Sequence, residues 1–194
     1  MTRTQAERSA ATQARLLDAT LDCLADVGWA RTTTTEVVRR AGVSRGAQVH
    51  HFPTKHDLVV AAIDHLFERR QIEFRDAFDA LPATKRTADA AIDLLWQTVQ
   101  GATFAAWLEV VVAARTDERL REAMEPIEQR FQDGVEKTFL ELFPDAPTIA
   151  VWFAFTVLDG LAVGQIGCPR HDADEMLGVL KLMASTLGAE GGLA

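Results

Sequence analysis

A chain of 194 residues, 48% hydrophobic and 25% charged, is ordinary for a soluble globular protein and can bury a substantial core in one or two domains. Two cysteines, Cys23 and Cys168, exclude a disulfide framework and read as reduced thiols. The polar opening MTRTQAERSAATQARL has no apolar signal-peptide segment, so a cytoplasmic protein is expected.

The net charge of −8 hides an asymmetry. Residues 1–60 carry eight basic and six acidic side chains, and residues 61–194 carry twelve and twenty-two. An acidic protein with one basic segment is built to touch phosphate at one end only.

In chain order, about ten residues of mobile arm precede a first helix that contains Cys23. Thr33 and Glu36 then form a capping-box pattern, and Val37, Val38 and Ala41 supply the inner face of a two-turn helix. Gly42 stands where helices end, and Val43 plugs the turn. Ser44 caps the next helix, Arg45 to His51; Phe52 folds back into the small core and Pro53 stops the helix. Thr54 and Asp57 open the following one.

Two short helices joined by a tight turn outline a helix-turn-helix, whose usual work is to place a helix in the DNA major groove. Between residues 28 and 55 lie Arg31, Arg39, Arg40, Arg45 and Lys55 against the single acid Glu36. The alternative for Arg39 and Arg40 is a merely solvated helix face. His50, His51 and His56 crowd together, but no cysteine or close carboxylate completes a tetrahedral set, so no metal and no cofactor are expected.

The stripe from Leu58 through Phe67 to Phe78 and Leu81 predicts one helix from about 55 to 80, roughly 39 Å long, ended by Pro82. Further helices are expected at 84–100, 102–114, 117–142, 147–166 and 172–188, with Pro126 kinking or splitting its segment. No strand pattern or repeat occurs. The fold class is therefore all-α, with about nine helices. Residues 1–54 form the arm and helix-turn-helix head, and residues 55–194 a helical regulatory and dimerisation domain.

Residues 146–169 carry one charge, Asp159, over a length that would cross a membrane. Asp159 near the middle, Gln165, three glycines and an acidic flank favour a helix buried in a globular assembly, with no membrane partner. Gly160, Gly164 and Gly167 share one face, and Met176, Leu177, Leu180, Met183 and Leu187 form the next stripe. So much apolar surface suits a twofold homodimer built on a four-helix bundle; intrachain packing is the alternative.

Trp96, Phe104, Trp107, Phe131, Trp152 and Phe155 either line a pocket for a small apolar or aromatic molecule or fill the core. Tyrosine is absent, so polar recognition falls to Gln97, Gln100, Thr103, Glu109, Arg115 or Asp159. Asp159 suits a cationic ligand or an interhelical hydrogen bond. No nucleophile elbow, P-loop, dinucleotide fingerprint or HExxH occurs. The acid pairs Asp117-Glu118 and Asp174-Glu175 read as helix-start charges, so the chain is not expected to be an enzyme.

From about Ala14 to Val60 the chain resembles the DNA-binding domain of the tetracycline-repressor (TetR) family of bacterial transcription regulators. The carriers are RLLDATLDCLADVGWARTTTTEVVRRAGVSRGAQVHHFPTKHDLV, with Gly28, the threonine run, AGVS at 41–44, Gly46, HHF at 50–52 and Lys55. The resemblance implies phosphate contacts from Thr33, Thr34, His51 and Lys55, with Thr35 near a base edge. It places Ser44, Arg45, Gly46, Ala47, Gln48 and His50 on the part of the third helix shown to DNA, Arg45 on a guanine.

At Gln48 and Val49 the family usually has Leu-Tyr, the Tyr hydroxyl reaching a phosphate. Val49 cannot do that, and Gln48 either reads adenine or faces water. The resemblance further implies a ligand-responsive regulator, a repressor that binds a palindromic double-stranded operator as a dimer and is released by a small-molecule effector. The alternatives are a helical small-molecule-binding protein without DNA binding, and an enzyme.

Overall fold

The computed structural model describes residues 4–166 and 171–189, with side chains through Thr186 in the last helix. Among these residues there are nine α-helices and no strand: α1 (Gln5–Arg31), α2 (Thr34–Ala41), α3 (Arg45–His51), α4 (Lys55–Asp79), α5 (Ala88–Thr98), α6 (Gly101–Ala114), α7 (Glu118–Leu142), α8 (Ile149–Ile166) and α9 (Ala173–Ala189). One 3-10 turn, Ala83–Lys85, follows α4.

The helix starts are set by local chemistry. α1 begins earlier than the ten-residue arm expected, because Thr4 and Glu7 close a capping box around its first turn. Ser44 Oγ accepts from the Ala47 amide at 3.1 Å, and Thr54 with Asp57 closes a full box at the start of α4. Asp117 accepts the Leu120 amide at 3.0 Å and starts α7. Gly42 ends α2 in the left-handed region (φ 61°, ψ 39°), where a side chain would be strained. Of the two expected outcomes at Pro126, a kink or a split, the split does not occur, since α7 runs as one helix. Pro126 stands on the exposed face, so the Glu122 carbonyl that loses its amide partner lies toward solvent.

The chain divides into two compact units. The first comprises residues 1–68 and 101–129. There α1 packs against α2, α3 and, most extensively, α6. Leu16, Leu24, Val37, Phe52, Leu58, Ile63, Phe104, Val110 and Leu120 make its core. The 54/55 boundary read from the sequence separates segments of the chain, whereas this unit also gathers α6 and the first half of α7.

The second unit comprises residues 69–100 and 130–194. α5, α8 and α9 pack on one another, with Ile92, Val151, Leu158, Leu177 and Leu180 inside. Phe78 stacks on Phe74 and meets the edge of Phe143. Lys181 Nζ lies 2.5 Å from Asp93 Oδ1, tying α9 to α5.

Candidate nucleic-acid interface

α2 and α3 are held by caps and a shared core, which leaves one face of α3 open. Val37 and Ala41 bury the inner side of α2, and Phe52 turns back into the core after α3. Thr33 Oγ1 accepts from the Glu36 amide at 3.2 Å. The reciprocal half of the predicted capping box does not form, because the Glu36 carboxylate is taken by two guanidinium groups. Arg39 Nε donates to it at 2.8 Å and Arg40 Nε at 2.9 Å. Arg40 Nη1 also reaches Asp26 at 2.5 Å. These bonds hold the Glu36 carboxyl down at about 2. Arg40 is thereby committed to stitching α2 onto α1, and Arg39 remains the more exposed of the two.

On α3, Arg45, Gly46, Val49 and His50 are exposed, Ala47 and His51 are half-buried, and Ser44 is exposed at the cap. Thr33 and Thr35, at the start of α2, are exposed and Thr34 is half-buried. Two predicted contact residues find partners within the chain. Gln48 is only 2% exposed, and its Nε2 donates to the Phe52 carbonyl at 2.5 Å. That bond satisfies the end of α3 from inside, so Gln48 neither reads adenine nor faces water. Lys55 is turned inward as well: Nζ donates to the Trp29 carbonyl at 2.5 Å and lies 3.9 Å from the centre of the Trp29 ring. Burial pulls its ammonium below the usual lysine range.

Trp29 is the residue that sequence reasoning missed. Its amide donates to Glu109 Oε2 at 2.8 Å, and its ring meets the edge of His56 with centroids 5.5 Å apart. His56 Nε2 in turn lies 2.9 Å from Asp117 Oδ2, a contact that with the Leu120 amide holds the Asp117 carboxyl below its usual range. Gly28 makes this possible. Its backbone (φ 75°, ψ 172°) breaks α1 in a region reserved for glycine, and a Cβ there would sit 2.7 Å from Glu109 Oε2. The end of α1, the start of α4 and α6 therefore meet at one tryptophan, and His56 links it to the start of α7.

The predicted ligand set is divided between the units. Phe104 and Trp107 pair in the first, with Phe104 filling its core. In the second, Phe155 meets the edge of Phe131 and lies against Trp152, with centroids 6.0 and 5.8 Å apart. Trp152 Nε1 donates to Glu136 at 2.7 Å. Trp96 is half-buried on α5, and Gln100 is exposed beyond that helix. Asp159 faces Arg70: burial pushes its carboxyl up while the guanidinium opposes the shift. Burial likewise lowers Arg70 to about 10. Arg70 had a sequence signal that was passed over, since it continues the α4 stripe of Ile63, Phe67 and Phe74 at helical spacing.

The outer face of α8 and α9 is apolar and open. Ile149 is 69% and Leu182 67% exposed, alongside Phe153, Val163, Met176, Val179 and Met183. A Cβ at Gly160 or Gly164 would meet nothing within 4 Å. Leu180 is corrected: it is buried in its own chain, since the α9 stripe is split between an inner row with Leu177 and an outer row with Met176 and Met183. Gly167 and Cys168 and the side chain of Leu187 lie outside the described residues. α8 is long and apolar enough to cross a membrane, yet Val151, Ala154, Leu158 and Ala162 face the core of its own unit. No group of three or more His, Cys, Asp or Glu side chains able to hold a metal occurs among the described residues.

Comparison with known proteins agrees with this geometry. The sequence model of bacterial regulatory proteins of the tetR family matches residues 16–62, which run from α1 into α4. A helix-turn-helix transcriptional regulator of Mycobacterium tuberculosis is 32% identical over 90% of this chain and 93% of its own. The helix-turn-helix regulator CymR of Pseudomonas putida is 34% identical over 83% of this chain and 82% of its own. Among solved structures, a transcriptional regulator of Pseudomonas aeruginosa PAO1 superposes with a TM-score of 0.71 at 20% identity, covering 91% of this chain and 90% of that one, a likeness of fold.

Proposed function

The chain belongs to the TetR family of bacterial helix-turn-helix transcriptional regulators, and from that footing we propose that it is a cytoplasmic, non-enzymatic repressor. A homodimer binds a palindromic operator through two copies of α3, and a small molecule releases it. The observation that carries this reading is the open face of α3. Arg45 and His50 stand exposed there, as Thr33 and Thr35 do at the start of α2, at the one basic end of an acidic chain. Arg45 reads guanine through O6 and N7, and Thr33, Thr34 and His51 take phosphates. Lys55 is left out of this set because Trp29 occupies it.

The open apolar face of α8 and α9 supports the homodimer, with Gly160 and Gly164 allowing close backbone approach. Two recognition helices on a twofold axis then read half-sites about 34–36 Å apart. Phe131, Trp152 and Phe155 form the proposed effector wall, with Asp159 and Glu136 as its polar groups; the effector is small and apolar or aromatic. It lowers DNA affinity by as much as it prefers the released state over the bound one.

The test is selection of duplexes from a random pool by the purified protein, followed by binding at several salt concentrations. A palindrome with a steep salt dependence supports the repressor. A stable fold with no affinity for any duplex at low salt leaves a helical small-molecule-binding protein.

A further inference from the structure

α3 presents few side chains to its surroundings. With Gln48 locked to the Phe52 carbonyl and Phe52 buried, the open arc is Arg45, Gly46, Val49 and His50. At about 100° per residue, Val49 falls between Arg45 and Gly46, inside the open arc. It is 48% exposed, the one large apolar side chain that the helix-turn-helix leaves in water.

Neither Gly46 nor Val49 serves the local fold. Glycine and a β-branched residue are poor choices for a seven-residue helix. Gly46 has no positive φ to justify it, and a Cβ there would meet only Ser44 Oγ, at 3.9 Å. Val49 packs no core. Residues that break a local rule without a gain inside the chain point to a gain outside it.

We infer that Val49 is a specificity-determining residue that packs its methyl groups against the 5-methyl group of a thymine in the major groove, beside the guanine read by Arg45. The inference rests on the proposed operator binding. Thymine is the base that offers an apolar group in that groove, and an aliphatic side chain is its complement. The missing side chain of Gly46 leaves room next to Val49 for the base edge. Arg45 and Val49 are about 6 Å apart along the helix axis, and bases step by about 3.4 Å, so the thymine lies one or two base pairs from the guanine.

The experiment uses the full-length protein and the operator it selects from a random pool. Each symmetric thymine pair is replaced in turn by 2′-deoxyuridine, which lacks only the methyl group, and affinity is read by fluorescence anisotropy. One thymine, one or two base pairs from the guanine, should lose roughly fourfold per half-site, as expected for one buried methyl-sized group. Val49→Ala, checked for an unchanged melting temperature, should bind the parent and deoxyuridine operators equally. Three results overturn the inference while leaving the repressor standing: tight binding with no deoxyuridine-sensitive position, a sensitivity that persists in Val49→Ala, or a selected operator without thymine there. Absence of binding to every duplex overturns both.

Discussion

Glu109, midway along α6, accepts the backbone amide of Trp29 at 2.8 Å, across eighty positions of sequence. The same carboxylate oxygen occupies the space that a side chain at residue 28 would need. The broken end of α1 is therefore built around Glu109. Gly28→Ala should destabilise the protein by about 1–3 kcal/mol for the backbone conformation alone, and by more where the methyl displaces Glu109. Glu109→Ala relieves the collision but leaves the Trp29 amide without its acceptor. In thermal unfolding, Gly28→Ala should therefore cost less in the Glu109→Ala background than in the parent. Equal costs in both would show that the two residues are not coupled.

Lys55 gives a second separation of roles. A phosphate-contacting lysine lowers the salt slope of DNA binding by about one when removed. Lys55 is bonded to the Trp29 carbonyl and stacked on its ring. Lys55→Met should therefore lower stability by about 1–3 kcal/mol and leave the salt slope within error of the parent. Arg45→Ala should do the reverse: an unchanged melting temperature, and a loss of about 1–3 kcal/mol in binding concentrated at one guanine. Anisotropy titrations at four salt concentrations, paired with melting curves, distinguish the two.

What was legible in the sequence was local. Thr33, Gly42, Ser44, Pro53 and Asp117 punctuate the helices through bonds or dihedral limits within a few residues, and pattern reading finds such signals. The helix-turn-helix and its exposed Arg45 and His50 belong to that class. Less legible were the side chains that choose between two partners that local spacing does not rank. Glu36 had its cap amide or Arg39 and Arg40; Lys55 had a phosphate or Trp29; Gln48 had water or the Phe52 carbonyl. Leu180 and Met183 are similar in a periodicity plot, yet packing against the rest of the second unit buries one and leaves the other out. The Glu109–Trp29 bond carries no local signature at all.

Acid should act on the Glu36 ion pairs of α2 in a defined window. Arg39 and Arg40 hold Glu36 at about 2, well below its ordinary 4.5. A carboxylate depressed in the folded state stabilises fully above its unfolded value and loses that contribution as pH falls through the folded one. The stability difference between the parent and Glu36→Gln should thus be constant above about pH 5 and shrink between about pH 4.5 and 2. Arg39 is solvent-exposed and the Arg40–Glu36 pair only part-buried, so salt near 1 M should shrink the difference at neutral pH as well. A difference that instead grows on acidification would contradict the arrangement. Urea melts of both proteins at four pH values measure it.

In the proposed homodimer, the open face of α8 and α9 ties oligomeric state to DNA binding. Leu182 is 67% exposed and stands near the exposed Val179 and Met183, so a single chain pays little for a charge there. In a twofold interface the same charge is buried twice and unpaired, at about 3–5 kcal/mol for each uncompensated ion. Leu182→Glu should therefore melt near the parent temperature at low protein concentration yet sediment as a monomer, with dimer affinity reduced on the order of ten-thousandfold or more. Operator binding should fall with it, because one α3 reads too few base pairs to hold a site alone. The decisive comparison is sedimentation velocity beside operator titration of the same sample. If Leu182→Glu remains a dimer with parental operator affinity, another surface joins the two chains.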